Sequence, residues 1–184
     1  MFVKNEMWGQ IPLLHIYTDN MNEKTPVVIF LHGFMSAKEH NLHYAYQLVN
    51  KGVRVLLPDA KFHGARSEGL TETQMNLHFW DIVLNSIHEV KQLYKELKNK
   101  QLVASDKIGV AGTSMGAIVT SGCLKLYDWI QTAAICMGGP AFIKLGAYQL
   151  QQLAKSGVKW PMSEQEVQKT NALLATYDIS LTPE

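Results

Sequence analysis

Two cysteines in 184 residues are too few for a disulfide-stapled scaffold, and Cys123 and Cys136 lack the spacing of a metal site. Both sit in apolar stretches and read as buried free thiols. Neither sign of charge is in excess: 17 basic residues face 16 acidic ones, a formal charge of +1. No dense block of Lys or Arg forms, which argues against a nucleic-acid partner or a membrane-surface site. Long apolar runs are missing too. Nothing approaches the roughly 20 residues needed to cross a bilayer, and residues 1–10 are polar with no apolar core of a signal peptide, so a cytoplasmic location is expected. There is no internal repeat and no low-complexity tract.

What is present is an apolar content of 47%, enough for one substantial core in a chain this long. A single domain over residues 1–184 is expected. Short β-rich runs alternate with longer stretches of helical period, the pattern of a largely parallel sheet flanked by helices. Strands are expected at 11–17, 27–31, 53–57, 107–111 and 132–137, the later ones apolar almost throughout, as strands covered on both faces should be. Residues 38–50 read as a helix ending at Gly52, a left-handed cap. Trp80, Val83, Leu84, Ile87, Val90, Tyr94 and Leu97 recur every three or four positions and mark a long helix lying on the sheet. A third helix is expected over 115–127. After the break at Gly138-Gly139-Pro140, helical segments are expected near 146–155 and 164–175, the second opened by Ser163 with Glu166 three residues on, a capping box.

Three motifs carry chemistry. Gly112-Thr113-Ser114-Met115-Gly116 has the form G-x-S-x-G, which arises by chance in about one chain in twenty of this length. Its position matters more than its composition, because a strand runs into it and a helix out of it. Such a turn strains the serine backbone, leaves no room for side chains at Gly112 and Gly116, and lifts the hydroxyl to a helix N-terminus, where the dipole favours developing negative charge. The second motif, His32-Gly33-Phe34, ends the apolar strand at 27–31. The third, Pro58-Asp59-Ala60-Lys61-Phe62-His63-Gly64-Ala65-Arg66, follows the strand at 53–57. It therefore lies at the same carboxyl edge of the sheet, where α/β proteins place their sites.

Taken in order, H-G-F, P-D-x-x-x-H-G-x-R and G-x-S-x-G resemble bacterial carboxylesterases of the dienelactone-hydrolase and prolyl-oligopeptidase-like branch of the α/β-hydrolases, over nearly the whole chain. The resemblance implies an α/β-hydrolase fold with Ser114 as nucleophile and the backbone amides of Phe34 and Met115 as oxyanion-hole donors. It leaves His32, Gly33, Asp59, His63, Arg66, Gly112 and Gly116 as supports of the site loops. A branched side chain at Gly33 is expected to distort its turn. The implied reaction is acyl transfer on a small carboxylic ester, with no metal or organic cofactor required.

One departure from the family pattern stands out. All seven histidines (His15, His32, His40, His43, His63, His78 and His88) precede Ser114, whereas the family order is Ser, acid, His. Asp128 lies too early for the acid, and Asp178 reads as a turn residue. The expectation is a C-terminally incomplete hydrolase whose acid and histidine lie outside these 184 residues, whose last strands are absent, and whose 132–137 strand is left at an open sheet edge. Residues 138–177 are too long for an ordinary loop and read as a helical cap, with Leu145, Tyr148, Leu150, Leu153, Trp160 and Met162 on its apolar underside. The expected partner is a small-molecule ester, and a homo-oligomer is possible on this reading. Two alternatives remain open: a peptidase or thioesterase using the same machinery, and an inactive hydrolase fold that binds a ligand or protein.

Overall fold

A computed structural model describes residues 1–104, 107–155 and 163–182. It opens with a hairpin that polar composition had concealed. Strand β1 (Phe2–Trp8) pairs antiparallel with β2 (Ile11–Tyr17), from Phe2 opposite Tyr17 to Trp8 opposite Ile11. Lys4, Asn5 and Glu6 break any apolar alternation in β1, so only its partner β2, nearly all buried, reveals it as a strand.

β3 (Val27–Leu31), β4 (Arg54–Pro58), β5 (Ile108–Thr113) and β6 (Thr132–Cys136) complete a six-stranded sheet of order β1-β2-β4-β3-β5-β6. β2 meets β4 antiparallel, and the β4-β3-β5-β6 block is parallel throughout. Every residue of β4 and β5 is buried, as continuous apolar runs predict. β6 departs from that expectation. It lies at the end of the sheet with one strand neighbour, and Thr132 to Ile135 are all exposed.

The two sheet faces bury different helices. On one, Ala45 and Val49 of α1 (Leu42–Asn50) pack with Leu14, Ile16, Phe30, Val55 and Leu57. A single 3₁₀ turn, Lys38–Asn41, precedes α1, and Gly52 beyond its end takes φ +79°. On the other face lie α3 (Phe79–Asn99) and α4 (Met115–Leu126). The buried stripe of α3 is Ile82, Val83, Ile87, Val90, Leu93 and Leu97; Trp80, Leu84 and Tyr94 flank it rather than form it. Each fully buried aliphatic side chain here contributes about 1.5–3 kcal/mol. α4 is sunk deeper, buried from Met115 through Cys123, and its buried hydroxyls are satisfied within the helix: Thr120 donates to Gly116 O (2.8 Å) and Ser121 to Ala117 O (3.0 Å). Cys123 and Cys136 are free thiols, Cys123 buried and Cys136 half-buried.

A short helix, α2 (Glu72–Leu77), precedes α3 and is fixed by a capping box between Thr71 and Gln74. Beyond β6, α5 (Phe142–Lys155) starts four residues earlier than its periodicity indicated, and α6 (Glu164–Ala175) carries the Ser163–Glu166 capping box. Phe142 is fully buried and lies 5.3 Å, ring to ring, from Trp80. Leu174 and Tyr177 are buried as well. No helix among the described residues is long and apolar enough to cross a membrane.

Candidate active site

Parallel strands share a direction, so β3, β4, β5 and β6 all release their chains at one edge of the sheet. Each is followed there by a non-glycine residue with positive φ: Met35 (58°), Phe62 (64°), Ser114 (52°) and Met137 (57°). Only one other such residue occurs among the described positions, Gln101 after α3. Backbone of this kind costs on the order of 1–3 kcal/mol per residue and persists only where its surroundings over-determine it. Four of five on one edge mark that edge as the candidate site.

Ser114 is held at the turn between β5 and α4 by three backbone bonds. Its N–H donates to Cys136 O (2.8 Å), and its carbonyl accepts from Ala117 (3.0 Å) and Ile118 (3.2 Å). The side chain is exposed although its neighbours on both sides are buried. The two motif glycines permit this turn. A Cβ on Gly112 would overlap the Gly116 carbonyl group, and one on Gly116 would overlap the Leu31 carbonyl and come within 2.8 Å of His32 O. Gly33 behaves differently. Its φ is not in the left-handed region, and a Cβ there would lie 3.5 Å from Ser114 Cβ, an ordinary contact. A side chain at position 33 therefore crowds Ser114 rather than breaking the turn.

The loop after β3 (residues 32–41) and the loop after β4 (59–66) are fastened together by buried polar groups. His32 anchors Nδ1–H on Gly33 O (2.8 Å), while its Nε2 accepts from the Ala60 N–H (3.0 Å) across the gap. His63 does the reverse: Nδ1–H donates to Lys61 O (2.8 Å), and Nε2 accepts from the Met35 N–H (3.1 Å). The two rings lie 5.0 Å apart. Both imidazoles are neutral in this arrangement, since each Nε2 is an acceptor. Burial pushes the His32 pKa down to about 4, against the opposing pull of the Gly33 carbonyl; burial also lowers that of His63.

Between the same loops, Asp59 is fully buried and accepts from the Lys38 N–H (2.9 Å), Lys38 Nζ (2.6 Å) and the Ala65 N–H (2.9 Å). Burial disfavours the Lys38 ammonium, yet its bonds to Asp59 and Glu39 hold its pKa above the ordinary value. Arg66 reaches back to Asp59 O (3.2 Å) and pairs with Glu89 of α3 (2.9 Å). Phe34 lies at the centre of this clasp, its ring edge-on to His63 and Phe79. The N–H groups of Phe34 and Met115 donate to no acceptor among the described residues.

No described histidine is hydrogen-bonded to Ser114. His32 and His63 are committed to backbone, and His15, within β2, bonds Arg54 (2.9 Å) and Glu6 (3.2 Å). His88 meets Tyr177 (3.2 Å), and His40 meets Ser36 (3.0 Å). Asp178 is buried in a role that motif reading reduced to a turn: it accepts from Ser180 N–H (3.0 Å) and also from Ile143 N–H (3.0 Å), tying the end of α6 to the start of α5. Of the residues read as an apolar underside, Leu145 packs on the core, Leu150 is half-buried and Tyr148 is 58% exposed. The Leu153 side chain, Trp160 and Met162 lie outside the described residues. Periodicity missed Phe142, the residue that seats α5.

Residues 22–178 match the family model Hydrolase_4, described as serine aminopeptidase, S33. The chain is 43% identical to YitV of Bacillus subtilis (strain 168), whose name marks it as a candidate esterase, over 99% of this chain and 72% of that protein. It is 32% identical to the esterase YjfP of Escherichia coli (strain K12), over 78% of this chain and 57% of YjfP. Among solved structures, a Pyrococcus furiosus esterase superposes with a TM-score of 0.55 at 23% identity, covering 96% of this chain and 62% of its own. A candidate dienelactone hydrolase of Klebsiella pneumoniae gives 0.60 at 14%, covering 74% and 59%. The chain thus spans about three fifths of these solved relatives. With a six-stranded mixed sheet of α/β-hydrolase type and these relatives, the chain belongs to the Hydrolase_4 family of esterases and serine hydrolases.

Proposed function

We infer that the chain carries the nucleophile and oxyanion donors of a serine esterase acting on small carboxylic esters. The observation that carries this reading is Ser114 itself: an exposed residue on a backbone at φ 52°, pinned by three hydrogen bonds, with the amides of Phe34 and Met115 meeting no acceptor among the described residues. Ser114 attacks the ester carbonyl, the negative charge gathers on the carbonyl oxygen, and the Phe34 and Met115 N–H groups stabilise it. The alcohol leaves, and water releases the acyl group from Ser114. Each donor of this kind is worth about 3–4 kcal/mol in the transition state. His32 and His63 act as braces for the Phe34 loop. His32 and His63 have their acceptor nitrogens occupied by backbone N–H groups, and in this reading the proton acceptor for the attack is a histidine outside these 184 residues.

Helices α5 and α6 serve in this reading as a cover over the serine, and with Phe34 and Met35 they narrow the site to small acyl groups. Fluorophosphonate labelling followed by peptide mapping tests the nucleophile in a chain extended to include the base. Modification is expected at Ser114 and lost in Ser114→Ala. Labelling that persists in that variant overturns the assignment. Ester turnover by the 184 residues alone, abolished by Ser114→Ala, would place the base among the seven histidines instead. A peptidase is the second reading, favoured by the family description; turnover of aminoacyl p-nitroanilides in preference to p-nitrophenyl acyl esters would establish it.

A further inference from the structure

The far end of the sheet from β6 is the outer edge of β1. Natural edge strands are blunted by proline, bulges or a covering element, because their free N–H and C=O groups pair readily with another strand. Charged side chains blunt edges as well, and β1 carries Lys4 and Glu6, but among the described residues it has none of the other devices. It pairs with β2 at seven consecutive positions without a bulge, holds no proline, and has no strand on its outer side among the described residues. Phe2, Val3 and Met7 along it are 40%, 52% and 62% exposed.

We propose that β1 is the interface through which two copies of this chain associate, pairing antiparallel about a two-fold axis at Asn5 to make one continuous sheet. The sequence Phe2-Val3-Lys4-Asn5-Glu6-Met7-Trp8 is self-complementary about that point. Around a two-fold axis the contact is isologous, so residue i of one copy opposes residue 10 − i of the other. Lys4 then faces Glu6 of the second copy, and Glu6 faces its Lys4. On the opposite sheet face, Val3 meets Met7 and Met7 meets Val3, which covers the two exposed apolar side chains with each other.

The neighbouring registers are worse. An axis at Lys4 sets Lys4 against Lys4, and an axis at Glu6 sets Glu6 against Glu6, each a like-charge pair directly opposed. The Glu6 carboxylate is already held on its sheet face by Trp8 Nε1 (2.6 Å) and His15 Nδ1 (3.2 Å), with 29% of the side chain still exposed. Lys4 lies over the Tyr17 ring on that same face, 5.5 Å from its centroid. Both side chains rest on their own hairpin in the single copy, so pairing with a second copy has Lys4 swing from Tyr17 to the partly exposed Glu6 carboxylate opposite it.

Sedimentation velocity over a concentration series is expected to show a reversible dimer. Lys4→Glu should weaken it by about tenfold or more, since two attractive pairs become repulsive, while Lys24→Glu, an equal charge change on an exposed loop, should leave it unchanged. Register is read by oxidation. Asn5→Cys sits on the axis and should form a disulfide-linked dimer; Val3→Cys, about 13 Å from its own copy, should not, nor should the wild type with Cys123 and Cys136. A monomer at every concentration overturns the proposal. So does a dimer that ignores Lys4→Glu but is lost on Ile135→Lys, which would move the contact to β6.

Discussion

The loops at the carboxyl edge and the α5–α6 segment adjoin one core but are held by different physics. Asp59, Lys38, His32 and His63 fasten the loops through buried, directional bonds of 2.6–3.1 Å. α5 and α6 are seated by Phe142, Leu174 and Tyr177, by the Asp178 tie, and by a capping box at the surface. Directional bonds tolerate little displacement, whereas apolar contacts survive small shifts at little cost. On the proposed reading, the acyl-transfer machinery has the first kind of support and the proposed cover has the second.

The contrast is broken most severely at Asp59. Asp59→Ala leaves the Lys38 ammonium buried beside an empty carboxylate site, and a loss of about 3–5 kcal/mol in urea unfolding is expected. A smaller loss at this position than at an α5 contact would mean that the ion pair is incidental.

Acid is the next lever. Because the folded state depresses the His32 pKa to about 4 from an unfolded value near 6.5, the stabilisation is complete above pH 6.5 and is lost as pH falls from 6.5 toward 4, where the unfolded chain binds the proton first. The loss is on the order of 3 kcal/mol for His32, and the lowered pKa of His63 adds in the same direction. Urea midpoints at pH 7 and pH 4.5, with His32→Gln as the variant that should flatten the difference, check this.

The smallest effects belong to the α5–α6 segment. Leu174→Ala is expected to cost about 2–3 kcal/mol, near the low end for a buried leucine, because Leu174 is the one fully buried residue of α6. Tyr148→Ala, on an exposed surface of α5, should stay within about 0.5 kcal/mol. A large loss there would show that α5 is fastened by contacts beyond Phe142.

Residue patterns made much of the parallel block legible. β3, β4 and β5 are short apolar runs, and the strand-to-helix setting of Gly112 to Gly116 is readable from the sequence and puts Ser114 at the turn. β1 was illegible because an edge strand need not alternate. α2 was overlooked although Thr71 and Gln74 carry its capping signature, since a six-residue helix leaves no periodicity to read. Periodicity gave α3 but set its buried stripe slightly off axis, favouring the bulky Trp80 and Tyr94 over Ile82 and Leu93. The reciprocal bonds of His32 and His63 were beyond reach, because each depends on which backbone N–H the opposite loop presents.

The four positive-φ residues at the carboxyl edge have a consequence for how such a protein diverges. At Met35 the backbone is fixed through its N–H on His63, and the side chain, 53% exposed, takes no part in that bond. Met137 is 80% exposed and follows the Cys136 carbonyl that holds Ser114. Phe62 is half-buried between Lys61 and His63, which carry the other anchor. Side-chain substitutions at these three positions alter the rim of the candidate site while the backbone bonds beneath it stay in place, so the rim can vary in shape where its support cannot.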